Sequence, residues 1–218
     1  MIISHRHKFV CLNPPRTGTG YREIALKGMS DLIFSDIREN FKSFIKSGNF
    51  MNPKNFARAM RCIYDRHASY EEMEEYFDAM GWNLKNYYKF TFVRNPIDRI
   101  ISFHNFHISQ EKLDFDAHDF VKYADSLTRG KDSQDAYLSD DLNYVGKMEN
   151  MMDDLNAITK EIGYPLNLTE CKKDREAHKD YDSQKWRDAL SDKTEARNIP
   201  YIEMFYKQER QALKLYEV

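Results

Sequence analysis

Two stretches of this chain share one local grammar: a short apolar run, a turn carrying an arginine, then a helix-compatible segment. In the first, the run Lys8 to Leu12 is apolar from Phe9 onward and is cut off by Asn13-Pro14-Pro15. Arg16-Thr17-Gly18-Thr19-Gly20 then turns, and Tyr21 to Lys27 resumes with helix formers. In the second, Tyr88 to Val93 (YKFTFV) ends at Arg94-Asn95-Pro96. Asn95 is a good N-cap and Pro96 suits the first helical position, so a helix is predicted from Ile97 to about Ile108. Unbroken apolar runs suit strands buried on both faces of a parallel sheet rather than strands with one wet side. Strands alternating with helices predict a three-layer α/β domain around a short parallel sheet of about four or five strands.

The remaining segments are read as mostly helical. From Asp36 to Ala79, Ile37, Phe41, Phe44 and Ile45 recur at helical spacing, as do Phe56, Met60 and Ile63. Ser69 with Glu72 forms a capping-box pattern opening a helix at Tyr70 that stops near Gly81. Residues 109–143 are polar and weakly patterned, with a helix at Ala117 to Ala124 followed by a mobile surface stretch. After Gly146, Met148, Met151, Met152, Leu155, Ile158 and Ile162 build an apolar helix face. Helices around Ser183 to Leu190 and Ile199 to Tyr216 close the chain. With no repeat, linker or low-complexity tract, residues 1–218 read as a single domain.

The two arginine turns carry the chemistry. A strand–loop–helix geometry directs successive backbone N–H groups and the positive helix end at one point, which suits a phosphate. Arg16 adds a forked cation, and Thr17 and Thr19 add hydroxyls; an ordinary turn with a surface arginine is the competing reading. Neither Gly18 nor Gly20 is followed by the Lys of a Walker A loop, and Arg16 falls one residue short of the C-x5-R spacing from Cys11. Arg94 lies at a strand's carboxyl edge, where open α/β sheets bind ligands, and Ser102 returns to the same helix face about two turns on. One anion could sit between Arg94 and Ser102, or the two could be plain surface residues. A nucleotide with phosphates at both its 5′ and 3′ positions would use two such strand ends.

Composition narrows the field. The net charge of -2 excludes a protein that coats nucleic acid non-specifically, so any anion site is local. No apolar run approaches the roughly 18 residues needed to cross a bilayer. Three widely spaced cysteines, Cys11, Cys62 and Cys171, fit free thiols in a reducing compartment, which reads as a soluble, cytoplasmic protein. His104 and His107 share a helix face, but further metal ligands are not identifiable in the sequence, and no metal is expected.

The pair PRTGTG and FTFVRNPIDRIISFHNF resembles the two signature motifs of the PAPS-dependent sulfotransferases, most closely the branch acting on carbohydrates; PAPS is 3′-phosphoadenosine-5′-phosphosulfate. The segment from Tyr144 to Leu155 and the tail IPYIEMFYKQERQALKLY are similar to later parts of that family. The resemblance implies a P-loop-like nucleotide fold and a PAPS donor without a metal. It implies that Arg16, Thr17, Gly18, Thr19, Gly20 and Tyr21 hold the 5′ end, and that Arg94 and Ser102 hold the 3′-phosphate. Gly20 stands where the family usually has a Thr or Ser, and Gln208 where the terminal helix often has Asp. Arg66-His67-Ala68-Ser69-Tyr70 resembles a segment preceding a helix in related enzymes, which makes His67 the candidate base beside Arg16 as charge stabiliser. Lys172 and Lys173, in a basic cluster with Arg175, His178 and Lys179, resemble a family region that closes over the nucleotide, and a solvated charged surface is the equally good competing reading. The resemblance implies a small-molecule or carbohydrate acceptor, and nothing in the residues reads a sugar rather than a phenol, amine or peptide. The rival readings are a small-molecule kinase with an unusual P-loop and a catalytically silent nucleotide-binding module.

Overall fold

The computed structural model describes residues 1–33, 42, 45, 52–63, 65–111, 117–126, 130–164, 166, 184–192 and 197–216. A five-stranded sheet runs through it in the order β3-β1-β2-β4-β5. Its strands are β1 (Ile2–Ser4), β2 (Phe9–Leu12), β3 (Leu32–Ile33), β4 (Tyr88–Val93) and β5 (Tyr144–Lys147). The three strands β2, β4 and β5 pair in parallel, with Cys11 opposite Phe90 and Thr91 opposite Val145. The sheet is mixed rather than wholly parallel, because β1 pairs antiparallel with both β2 and β3. The reason is the link between β1 and β2: a turn over residues 5–8 is far too short for a crossover helix, so the chain can only fold straight back.

Helices cover both faces of the sheet. They are α1 (Thr19–Leu26), α2 (Pro53–Ile63), α3 (Tyr70–Met80), α4 (Pro96–Glu111), α5 (Ala117–Ser126), α6 (Met151–Glu161), α7 (Gln184–Ser191), α8 (Ile199–Gln208) and α9 (Arg210–Lys214). Alternation along β2 explains its unbroken apolar run. Val10 and Leu12 pack with Met73, Tyr76 and Phe77 of α3, whereas Phe9 and Cys11 pack with Leu26 of α1 and Leu155 and Ile158 of α6. A third cluster joins Ile100 and Ile101 of α4 to Phe120 of α5, Leu190 of α7, and Ile202 and Phe205 of α8.

Local signals set several boundaries. Both arms of the capping box form at α3: Glu72 N–H donates to Ser69 Oγ (3.2 Å) and Ser69 N–H to Glu72 Oε2 (2.9 Å). Gly81 ends that helix at φ 70°, a left-handed value that suits glycine. Asn95 caps α4 by accepting from Ile97 N–H at 3.0 Å. Of the helical reading over Asp36 to Ala79, residues 34–51 lie outside the described residues except Lys42 and Ile45, and the rest is broken over 65–69.

Two expectations are corrected. The stretch after α5 is not wholly surface: Ser133, Gln134 and Tyr137 return to the interior, the last two fully buried. The closing helix is not continuous either, because it breaks at Glu209, whose carboxylate is buried among polar partners described below.

Gly146 in β5 has a packing role, since a Cβ there would fall inside the van der Waals envelope of the Phe92 ring. Gly146→Ala should lower stability by about 1–3 kcal/mol, the usual cost of overpacking a filled core. Chemical denaturation measures it, and an unchanged midpoint would show that the ring moves freely aside.

Candidate functional site

Parallel pairing of β2 with β4 sets their carboxyl ends side by side, so the Arg16 turn and the Arg94 turn become neighbours. Arg16 is half-buried and adopts φ 65°, a left-handed conformation that costs a non-glycine residue about 1–2 kcal/mol. That conformation accompanies a guanidinium laid against α4. Arg16 Nε and Nη2 donate to Ser102 Oγ at 3.2 and 2.9 Å, and Nη2 donates to the Ser102 carbonyl at 3.1 Å. Ser102 therefore meets Arg16, the residue of the other turn, and both can face one anion.

The 15–20 loop leads into α1 through Gly18 at φ 81°, and no side chain caps the helix start. The N–H groups of the first turn lack a competing cap, which is the arrangement an anion needs. The threonine hydroxyls are turned inward. Thr17 Oγ1 donates to the Pro14 carbonyl at 2.7 Å and Thr19 Oγ1 to the same oxygen at 3.4 Å, so both brace the loop. The Tyr21 hydroxyl contacts the Met152 sulfur, placing the ring against α6. Gly20 is exposed, and a Cβ there would meet nothing within 4 Å.

Beneath the loop lies Arg22, fully buried and absent from the sequence-based set. It donates to Asn13 Oδ1 (3.2 Å), the Thr17 carbonyl, Thr17 Oγ1 (3.0 Å) and Thr19 Oγ1 (3.4 Å), with the Phe92 ring 5.0 Å away. A signal existed: Thr19, Arg22 and Leu26 fall on one helix face, so an arginine occupies an otherwise inward stripe.

Arg94 is held through its backbone. Its N–H donates to Gln134 Oε1 at 2.8 Å, and its carbonyl accepts from Gln134 Nε2 at 2.9 Å. Gln134 is fixed by Glu209, which accepts from Gln134 N–H (3.1 Å) and Nε2 (3.0 Å) and forms a fully buried ion pair with Arg99 at 2.6 Å. Sequence reading missed Gln134 and Glu209, since they lie far from Arg94 along the chain. The Arg94 guanidinium itself makes no hydrogen bond or ion pair among the described residues. Burial disfavours its charge, and Arg16 nearby adds repulsion that Asp98 and Glu149 offset from a distance. A half-buried cation of this kind favours an incoming anion.

His67 stands at the loop's entrance. Its Nδ1 lies 2.7 Å from the Asn13 carbonyl, which can only accept, so Nδ1 carries the proton and Nε2 keeps its lone pair. The Tyr137 hydroxyl donates to the His67 carbonyl at 2.6 Å, and His67 N–H donates to Asp65 Oδ1 at 2.8 Å. Burial pushes the imidazole below its usual 6.5 despite the opposing hydrogen bond to Asn13.

The other sequence candidates fall elsewhere. The His104 ring packs edge-on against Phe120 and Tyr123, with centroids 4.9 and 5.6 Å away. Lys172, Lys173, Arg175, His178 and Lys179 lie outside the described residues, as does the His107 side chain. Among the described residues, no group of three or more His, Cys, Asp or Glu side chains could hold a metal, and no helix is long and apolar enough to cross a membrane.

Residues 48–140 match the family model described as the sulfotransferase family. The matched span is less than half of the chain; it contains His67, Arg94 and Ser102, and the Arg16 turn lies outside it. No curated protein and no solved structure matches the chain.

Proposed function

We propose that this chain, a member of the sulfotransferase family by its match over residues 48–140, transfers the sulfuryl group of PAPS to a small-molecule or carbohydrate acceptor through a hydroxyl or amine. The helix-covered sheet with a loop between β2 and α1 supports a P-loop-like nucleotide fold. The Arg94 guanidinium, unpaired among the described residues and beside Arg16, carries the reading, because two neighbouring cations at adjacent parallel strand ends match a nucleotide with phosphates at both ends.

In this reading the first turn of α1 binds the 5′ end with Arg16, and Arg94 binds the 3′-phosphate with the Ser102 hydroxyl. PAPS supplies an activated sulfuryl group whose bridging S–O bond breaks as the acceptor's bond to sulfur forms. Arg16 steadies charge on the departing 5′-phosphate, and His67 Nε2 takes the acceptor proton. Adenosine 3′,5′-bisphosphate leaves.

Calorimetric titration with that bisphosphate tests the site. Arg94→Ala and Arg16→Ala should each weaken binding by about ten- to a hundredfold, the loss of one charge-assisted phosphate contact worth about 1.5–3 kcal/mol. Wild-type protein that binds no bisphosphate, or variants that bind as the wild type does, would sink the assignment.

A further inference from the structure

Arg22 presents an unusual charge balance. It is fully buried, yet among the described residues no carboxylate bonds to it. The adjacent acid, Glu23, gives both oxygens to Arg66 instead, one of them at 2.6 Å. The neighbouring Cys11 thiol is also fully buried, and burial raises its pKa against the opposing pull of the Arg22 charge. A buried cation with only neutral partners is costly, and an anion arriving nearby relieves that cost.

Its partners show where the charge acts. All the oxygens it contacts belong to residues 13–19, the strand end and loop that lead into α1. The Thr17 carbonyl belongs to the same peptide unit as Gly18 N–H. A cationic donor on that carbonyl polarises the unit and strengthens the N–H as a donor. Phe92 closes one side of the guanidinium with its ring, and the Met151 sulfur lies 4.0 Å from Nη1. The charge is thus shielded by apolar groups below and by loop dipoles above.

We infer that Arg22 is a positioning residue that holds a fixed positive charge beneath the 15–20 loop and tunes it for a dianionic 5′-phosphate. The inference rests on the reading of that loop as the 5′ site, and it assigns a role to a residue that never touches the nucleotide. Its charge acts through the loop, so ligands should respond according to which phosphate they carry.

The test compares wild type with Arg22→Met and Arg22→Lys against adenosine 3′,5′-bisphosphate, adenosine 5′-monophosphate and adenosine 3′-monophosphate. Thermal unfolding confirms that each protein is folded. Arg22→Met should weaken both ligands carrying a 5′-phosphate on the order of tenfold and leave the 3′-monophosphate unchanged. Arg22→Lys, which keeps the charge, should retain most of the 5′ affinity. Equal loss for all three ligands, in Met or in Lys, would show a structural brace only and overturn the inference, as would unchanged binding in Arg22→Met. Should Arg22→Met fail to fold, Arg22→Gln, which also removes the charge but keeps amide donors for the loop oxygens, decides by the same comparison. A wild type that binds none of the three refutes the nucleotide site itself, a failure visible before any variant is made.

Discussion

His67→Ala should lower the transfer rate about 100- to 10,000-fold, the usual contribution of a positioned general base, while bisphosphate affinity changes little. The imidazole is anchored on Asn13 at the entrance to the 15–20 loop, and the acceptor-only carbonyl fixes the tautomer with Nε2 as the basic nitrogen. His67→Asn is the cleaner variant, because its amide can still donate near the Nδ1 position and preserve the loop, yet it offers no base. The pH dependence has a definite sign. Burial lowers the imidazole pKa below 6.5, so the catalytically useful neutral form persists to lower pH than for a free histidine. In wild type, kcat should fall on the acid side with a midpoint below 6.5, and the variants should lose that acid limb. Steady-state rates at saturating donor across about pH 4.5 to 8.5, an interval of roughly two units either side of an ordinary histidine, measure both effects. A rate within tenfold of wild type in both variants would remove His67 from the proton transfer.

The features legible in the sequence are those whose causes are local. The capping box of Ser69 and Glu72, the cap by Asn95 and the left-handed stop at Gly81 involve residues within a few positions of one another. So do the two apolar runs that become β2 and β4, and with them the placing of Arg16 and Arg94 each at a strand's carboxyl end, whereas their being neighbours follows from strand pairing. Illegible features depend on distant partners. Strand β1 is three residues long and gains its definition from β2 and β3, which flank it in the sheet. Gln134 sits in a polar stretch with no periodicity, and only its bonds to the Arg94 backbone and to Glu209 explain its burial. The meeting of Arg16 with Ser102 is likewise a product of strand pairing, where the sequence had suggested Ser102 as a partner for Arg94. Arg22 was overlooked because an arginine in a short helix ordinarily faces water.

Glu209→Ala should destabilise the protein by about 3–5 kcal/mol, the cost of leaving a buried partner charge uncompensated. The Glu209 carboxylate pairs with Arg99 at 2.6 Å, and both side chains are fully shielded from solvent. Among the described residues Arg99 has little else to satisfy it: its Nε and Nη1 have no hydrogen-bond partner there, and the Phe103 ring lies 5.5 Å away. Removing the carboxylate also strips both anchors from Gln134, which holds the Arg94 backbone from each side. For a chain of this size each kcal/mol shifts Tm by about 2–4 °C, so the melting temperature should fall by roughly 6–20 °C. The same variant, titrated below its Tm, should bind the bisphosphate more weakly even though Glu209 does not reach Arg94 directly. Glu209→Gln separates the two consequences. Its amide oxygen can still accept from Gln134, while Arg99 loses its counter-charge, so stability should drop with smaller damage to binding. A loss below 1 kcal/mol in Glu209→Ala would mean that Arg99 finds water or another partner once the acid is gone, and that Arg94 owes its position to β4 alone.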